Sequence, residues 1–130
     1  MNDNYKKYIG NFGENEAVKF LKKNKYKVVA TNYSCKHGEI DIICENKEFI
    51  VFVEVKTRKK DALTSGVYAV DKRKQAHIIK TAHTYLRENC SDKQPRFDII
   101  EVEIDYATNT VVEINHIADA YIQGGSYAAF

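Results

Sequence analysis

Residues 38–60 of the chain read GEIDIICENKEFIVFVEVKTRKK, a pattern that predicts two β-strands joined by a polar turn. Successive side chains of a strand point to opposite faces, so Glu54 and Lys56 share one face with Phe52, and the valines between them share the other. Both faces are apolar as far as Glu54, which is typical of a strand that is covered on both sides. Because a buried charge without a partner costs several kcal/mol, this carboxylate and this ammonium group need partners.

The order of the predicted elements indicates an α/β fold. Apolar residues at offsets of three and four predict a first helix, Asp71 is placed to cap a second helix, and β-rich runs follow each of them. The predicted elements are a helix at 5–24, strands at 25–33, 38–44 and 48–57, a helix at 72–88, and strands at 96–104 and 110–117. This order, α-β-β-β-α-β-β, predicts a mixed central sheet of about five strands flanked by helices. We expect the first three strands to form an antiparallel meander, with Ile40 and Ile42 on one face, and the second helix to cross over to a parallel strand.

The composition is that of one globular domain. The chain has 130 residues, of which 44% are hydrophobic and 29% charged, and we expect a single domain at 1–121 with a loosely attached tail at 122–130. No apolar run approaches the roughly 20 residues of a membrane helix, and the N-terminal segment lacks the apolar stretch of a signal peptide. We therefore expect a cytoplasmic protein that does not enter a membrane. Three cysteines without CxxC spacing argue against a disulfide framework or a structural zinc site.

The positive charges are clustered, although the net charge is only +2 at pH 7. Basic residues crowd at 56–60 and again at 72–74, and such runs can form an electrostatic footprint for phosphates. The start of the second helix also favours phosphate binding through its free amide groups. The candidate nucleic-acid contacts are Arg58, Lys59, Lys60, Lys72, Lys74 and Gln75. The alternative is that both runs are solvated faces without a ligand.

The hairpin also predicts a site for a divalent cation. Pairing of its two strands brings the carboxylates of Asp41 and Glu54 together, where they repel each other unless a cation lies between them. Mg²⁺ or Mn²⁺ would take these carboxylates, with water and phosphate oxygens filling the remaining positions. Lys56 can act on the attacking water or stabilise charge in the transition state. Glu14, on the apolar stripe of the first helix, would add a ligand or hold a metal-bound water, and the backbone carbonyl of Val55 would be a further ligand.

A structural interpretation of the same residues remains open. Glu54 and Lys56 could form an ion pair near a strand end, with Asp41 solvated and Glu14 reaching water from the edge of its stripe. The complete set is more restrictive than the Glu-x-Lys tripeptide, and it favours metal-assisted hydrolysis of a phosphodiester. His37, beside the Asp41 strand, is better explained as a loop histidine.

Four segments carry a family resemblance. GNFGENEAVKFL at 10–21, GEIDIIC at 38–44, FVEVKTR at 52–58 and RFDII at 96–100 closely resemble the YraN family of small bacterial proteins. That family is similar to the PD-(D/E)XK nuclease superfamily, especially the archaeal Holliday-junction resolvases. The resemblance extends from residue 10 to about residue 121. In the RFDII segment, we expect Arg96 and Asp98 to form a structural salt bridge.

The resemblance implies a restriction-endonuclease-like core and an active site. In the resolvases the site consists of a helical Glu, a strand Asp and a Glu-x-Lys pair, which match Glu14, Asp41, Glu54 and Lys56. The proline that usually precedes the metal-binding Asp is absent, and Ile40 stands in its place. Resolvases act as dimers because a four-way junction has two symmetric cleavage points, so the resemblance makes a homodimer one expectation, while the sequence itself leaves the oligomeric state open.

The leading functional hypothesis is a Mg²⁺- or Mn²⁺-dependent endonuclease that acts on DNA, with branched and single-stranded DNA as candidate substrates. The main alternative keeps the nuclease fold but binds nucleic acid or a recombination partner without cleaving. In a third hypothesis the chain is a protein–protein adaptor that uses the long loop at 58–70 and the C-terminal tail.

Overall fold

The computed structural model describes residues 3–61 and 70–121, so the inner part of the predicted 58–70 loop and the predicted tail lie outside the described residues. The elements are α1 (Asp3–Lys23), β1 (Lys27–Cys35), β2 (Gly38–Glu45), β3 (Phe49–Lys59), α2 (Lys72–Glu88), β4 (Gln94–Asp105) and β5 (Thr110–Tyr121). The predicted order of helices and strands is confirmed. No helix within the described ranges is long and apolar enough to cross a membrane.

The five strands form one mixed sheet in the order β1-β2-β3-β4-β5. All neighbours are antiparallel except β3 and β4, which run parallel and are joined through α2. The predicted antiparallel meander and the predicted parallel crossover are therefore both present. The β3–β4 pairing runs without interruption from Phe49 opposite Gln94 to Lys59 opposite Ile104.

Several strand ends differ from the prediction. β1 begins two residues late, because Lys25 adopts a positive φ of 70° and the Tyr26 N–H still bonds the Leu21 carbonyl of the preceding helix. β3 continues to Lys59, where the start of a loop was predicted, because β4 pairs with it throughout. β5 extends to Tyr121 past a left-handed residue, Asp119, whose φ is 55°.

One helix covers each face of the sheet. On one face, α2 packs on a cluster that includes Ile50, Phe52 and Phe97, and on the other, α1 packs on a cluster that includes Val51 and Val53. This division confirms the predicted alternation along β3.

The predicted faces of β2 need one correction. Ile40 packs in the α2-side cluster, whereas Ile42 packs in the α1-side cluster. The two residues were expected to share a face. The regular register between β2 and β3 ends at Ile42 opposite Val53, so Ile40 belongs to a part of β2 that is no longer held in the pleat of β3.

Gly13 sets the distance between α1 and β3. A Cβ atom at this position would overlap the Cγ2 methyl of Thr57, so only glycine permits the observed approach of the helix to the strand. Gly10, one turn earlier, has open space around it. The neighbouring residue of Gly13 is Glu14, and the close approach therefore brings that carboxylate to the sheet.

We predict opposite effects for alanine at these two glycines. Gly13→Ala should lower the free energy of unfolding by about 1–3 kcal/mol through overpacking, whereas Gly10→Ala should raise it by up to about 1 kcal/mol through helix propensity. Thr57→Ser removes the obstructing methyl, so Gly13→Ala should become neutral or stabilising in that background. Urea unfolding of the wild type, Gly13→Ala, Thr57→Ser and the double variant measures this effect. An equal loss of unfolding free energy from Gly13→Ala in both backgrounds would contradict the prediction.

Asp98 joins β4 to β5. Its fully buried carboxylate accepts hydrogen bonds from Arg96 Nε and Nη2 at 2.9 and 2.8 Å, from His116 Nε2 at 2.7 Å and from the Asp119 N–H at 3.0 Å. The predicted Arg96–Asp98 salt bridge is confirmed. Although burial by itself would raise the pKa of Asp98, the hydrogen bonds from His116 and Arg96 hold it below its usual range.

Asp98→Asn should destabilise the protein by about 3–5 kcal/mol, because it leaves Arg96 with a buried charge and no carboxylate. The wild type should also lose stability as the pH falls below about 4, since the pKa of Asp98 is lower in the folded than in the unfolded chain. The variant should lack this acid-dependent loss. Asp105→Asn, at a surface carboxylate 3.8 Å from Lys60 Nζ, is the matched control. Parallel acid profiles of wild type and Asp98→Asn would show that Asp98 is not the titrating group.

Candidate active site

The candidate site lies where β2 and β3 part. Regular pairing between the two strands runs only from Glu45 opposite Ile50 to Ile42 opposite Val53. Beyond that point the Asp41 carboxylate takes the place of a backbone acceptor, and its Oδ2 accepts the Val55 N–H at 2.8 Å. A buried strand N–H needs an acceptor, so this bond permits the sheet to open without leaving the donor unsatisfied.

The same bond orients the backbone of Val55. The N–H and C=O groups of one strand residue point to the same side, since an antiparallel hydrogen-bonded pair exchanges both bonds. Because the Val55 N–H points to Asp41, its carbonyl also faces the gap that β2 leaves. The predicted ligand carbonyl therefore faces the same gap as the Asp41 carboxylate.

Glu54 is the buried charge at the centre of this gap. It is 5% exposed, and its Oε1 lies 3.5 Å from Lys56 Nζ and 3.3 Å from Lys74 Nζ. The Glu54–Lys56 ion pair that the structural interpretation predicted is therefore present, and Lys74 adds a second cation from α2. Asp71 places Lys74 in the first turn of that helix by accepting the Lys74 N–H at 2.9 Å.

The two carboxyl groups of the hairpin interact directly. Burial, followed by the charge of Glu54, raises the pKa of Asp41 to about 7, against the opposing hydrogen bond from the Val55 N–H. Glu14 contributes a smaller effect in the same direction. In the protein as described, Asp41 and Glu54 thus share a site in which one carboxyl group retains a proton up to neutral pH.

Glu14 reaches the gap from α1. It is half-buried, and burial, then the charge of Glu39, raise its pKa, with Glu54 adding to the effect and the Asn32 side chain opposing it. The structure therefore brings Glu14 into electrostatic contact with the hairpin carboxylates. Within 3–61 and 70–121, however, no three His, Cys, Asp or Glu side chains converge closely enough to hold a metal ion together. The carboxylates best placed as ligands are the pair Asp41 and Glu54.

The predicted basic rim at the end of β3 is partly neutralised. Arg58 pairs with Glu101 at 3.5 Å and with Glu103 at 2.9 Å, and Lys60 lies 3.8 Å from Asp105. These acids come from β4, which runs beside β3. Lys59 remains exposed.

The predicted contacts on α2 differ in their surroundings. Lys72 and Lys74 are both exposed, and Lys74 Nζ lies 3.3 Å from Glu54 Oε1. Gln75 uses its side-chain amide to donate to the Val70 carbonyl at 3.0 Å, which ties the helix start to the end of the preceding loop. Of the three residues, Lys74 alone is joined to the carboxylate pair by an ion pair that the described structure contains.

A cleft of about 360 Å³ contains the site and adds residues to it. Its walls are formed by His37, Gly38, Glu39, Asp41, Glu54, Lys74, His77 and Ile78. Glu39 and His77 are not among the predicted site residues. The available signal for His77 was its spacing, because a residue three positions after Lys74 lies on the same side of a helix.

Asp41→Asn should change how stability depends on pH. The folded protein keeps the Asp41 proton up to about pH 7, whereas the unfolded chain releases it near pH 4. Stability should therefore fall as the pH rises between these values, and the loss should be complete above pH 7. Asparagine cannot ionise and still offers an oxygen to the Val55 N–H, so the variant should be more stable than the wild type at pH 8 in a chelating buffer.

Thermal unfolding at a series of pH values measures this difference. Glu113→Gln, which removes an exposed carboxylate of β5, is the matched control and should keep the wild-type profile. If wild type and Asp41→Asn respond identically between pH 5 and pH 8, Asp41 does not hold the proton.

Comparisons with known proteins identify the family. Residues 13–102 match the model of the uncharacterised protein family UPF0102. A UPF0102 protein of Caldanaerobacter subterraneus subsp. tengcongensis is 44% identical over 117 residues, covering 89% of this chain and 96% of the relative. One from Geotalea daltonii is 44% identical over 122 residues, covering 92% of each chain. One from Clostridium botulinum is 41% identical and covers 88% of this chain and 94% of the relative. The chain belongs to the UPF0102 family, which confirms the predicted YraN-family membership.

Proposed function

We propose that this member of the UPF0102 family is a metal-dependent endonuclease that hydrolyses phosphodiester bonds in DNA. The observation that carries the proposal is the contact between the Asp41 and Glu54 carboxyl groups at the opening of the sheet, beside the Val55 backbone and two lysines. A buried acidic pair of this kind is unfavourable for folding alone, and a cation-dependent role explains its placement in an open cleft.

The donor set fits Mg²⁺ or Mn²⁺. Asp41, Glu54 and the Val55 carbonyl are hard oxygen donors, and they leave coordination positions for water and phosphate oxygens, as these ions prefer. The proton that the pair retains up to about pH 7 is one that a divalent cation would displace. When bound, such an ion would polarise a phosphoryl oxygen and lower the pKa of an attacking water.

The lysines and Glu14 supply the remaining functions. Lys56 and Lys74 approach Glu54 from two elements, so a phosphate group entering the cleft meets two ammonium groups that can stabilise the negative charge of its transition state. We assign Lys56 to the attacking water, since it lies on the same strand face as Glu54. Glu14, with its raised pKa, would hold a water or exchange a proton at the α1 side of the gap.

A non-cleaving binding module is the second candidate. Lys56 and Lys74 already neutralise Glu54 within the described structure, so the site does not depend on a metal for charge balance. In that case the cleft would hold a phosphate between the lysines, and the acidic pair would serve only to position them. Both candidates place the protein in the cytoplasm with DNA, and a homodimer would present two such clefts to one branched DNA.

The test is cleavage of labelled branched, single-stranded and duplex DNA in Mg²⁺ and in Mn²⁺. The wild type should cleave at least one substrate, and Asp41→Asn and Lys56→Met should each reduce the rate by about 100-fold or more, the range that transition-state charge stabilisers supply. Lys93→Met is the matched control, because Lys93 forms a comparable ion pair with Glu45 at 3.4 Å outside the cleft.

Metal binding has a separate readout. Mn²⁺ should raise the thermal unfolding temperature of the wild type at pH 8 and leave that of Asp41→Asn nearly unchanged. Cleavage that survives both Asp41→Asn and Lys56→Met would overturn the assignment of the site. DNA binding that needs no metal, without cleavage in any divalent ion, would favour the binding module instead.

A further inference from the structure

The exposed side of α2 carries a basic stripe outside the predicted site residues. Arg73, His77, Lys80 and Arg87 follow one another at intervals of four, three and seven residues, so they project from one side of the helix. All four side chains are exposed. The stripe begins beside the cleft, because His77 is also one of the cleft residues.

The turn between β1 and β2 extends this stripe sideways. It consists of Lys36 and His37, and the next residue, Gly38, lies so close to α2 that a Cβ there would contact Thr81 and His77. The φ of Gly38 is 146°, which favours glycine and keeps this close packing.

Positive charges from the β1–β2 turn and from α2 both act on His37. Partial desolvation, then Lys36, Lys80 and Arg87, lower the pKa of His37, and His77 has a smaller effect in the same direction. Side chains from the turn and from α2 between His77 and Arg87 therefore act on a single position. We call the set Lys36, His37, Arg73, His77, Lys80 and Arg87 the α2 basic face.

Within residues 3–61 and 70–121, the carboxylates near this face form no ion pairs with Lys36, Arg73, Lys80 or Arg87 like those of the β3 rim. Glu88 accepts a hydrogen bond from the Tyr33 hydroxyl, and Glu39 lies in the cleft at one end of the face. Arg87 contacts the Thr84 hydroxyl at 3.3 Å. By contrast, the β3 rim faces three acids of β4.

We propose that the α2 basic face binds the phosphate backbone of duplex DNA and leads it into the cleft. The proposal rests on the proposed function of that cleft and names the surface that presents the substrate to it. From Arg73 to Arg87 the helix rises about 21 Å, which matches the length of about six base pairs of duplex DNA. The Arg73 end of this track lies beside Lys74 and His77, which line the cleft of the carboxylate pair.

The experiment compares two triple variants that lose the same charge. Lys36→Gln/Lys80→Gln/Arg87→Gln removes cations from the α2 basic face, and Lys7→Gln/Lys22→Gln/Lys23→Gln removes exposed cations from α1, on the other side of the sheet. Binding to a fluorescein-labelled DNA duplex is followed by anisotropy in EDTA over a range of NaCl concentrations. Thermal unfolding of both variants checks that each is folded.

The face variant should bind about 10- to 100-fold more weakly than the wild type, and the slope of log K against log salt should be smaller by about two to three. The α1 variant should bind DNA with an affinity within about 3-fold of that of the wild type. The charges it removes lie on the other side of the sheet, and salt screens their effect on the α2 basic face. If both triple variants weaken DNA binding equally, or if neither weakens it, the α2 basic face is not the DNA-binding surface.

Failure of the surface and failure of the endonuclease are distinguishable. If the wild type cleaves DNA and the face variant binds DNA as tightly as the wild type, the proposed DNA-binding surface is wrong and the proposed endonuclease activity is supported. Selective loss of binding in the face variant, without cleavage by the wild type, would support the surface and reject the endonuclease.

Discussion

The hydrogen bond from the Val55 N–H to the Asp41 carboxylate is the constraint on which the rest of the site depends. A strand in the middle of a sheet has no free backbone groups, so a cleft can open inside the sheet only if another acceptor replaces the departing strand. Asp41 is that acceptor. Its carboxylate is held by the Val55 N–H. It lies near Glu54 because the pairing of β2 with β3 ends at Val53, the residue before Glu54.

The two helices complete the opening from opposite faces of the sheet. α1 approaches β3 at Gly13, where a larger residue would collide with Thr57, and so delivers Glu14. α2 begins at a capped N-terminus and delivers Lys74 to within 3.3 Å of Glu54. A carboxyl group therefore comes from one face of the sheet and an ammonium group from the other. This asymmetry leaves the α2 side as the electropositive approach to the site.

Strand alternation and helix spacing predicted which groups of the candidate site lie near one another. They placed Glu54 on the face of Lys56, Asp41 close to Glu54, and Glu14 on an inward stripe, and the structure shows Glu54 in contact with Lys56 and interacting with both Asp41 and Glu14. They could not predict the acids opposite Arg58, because the predicted parallel crossover leaves open the register that places Glu103 opposite Arg58. The end of β5 was missed for the same reason, since it depends on a bond from the Asp119 N–H to the buried Asp98.

The parallel pairing of β3 and β4 has a consequence for the order in which the site is assembled. Each β3 residue is 45 positions from its partner in β4, whereas partners in the β2–β3 hairpin are 5 to 11 positions apart. Closing a short loop costs less chain entropy than closing a long one, so contacts between near neighbours in sequence tend to form first. The acidic pair and Lys56 are thus encoded locally, and Lys74, the second cation beside Glu54, joins the site only when α2 docks. The hairpin can therefore bring the two carboxyl groups together before the cleft that encloses them is complete.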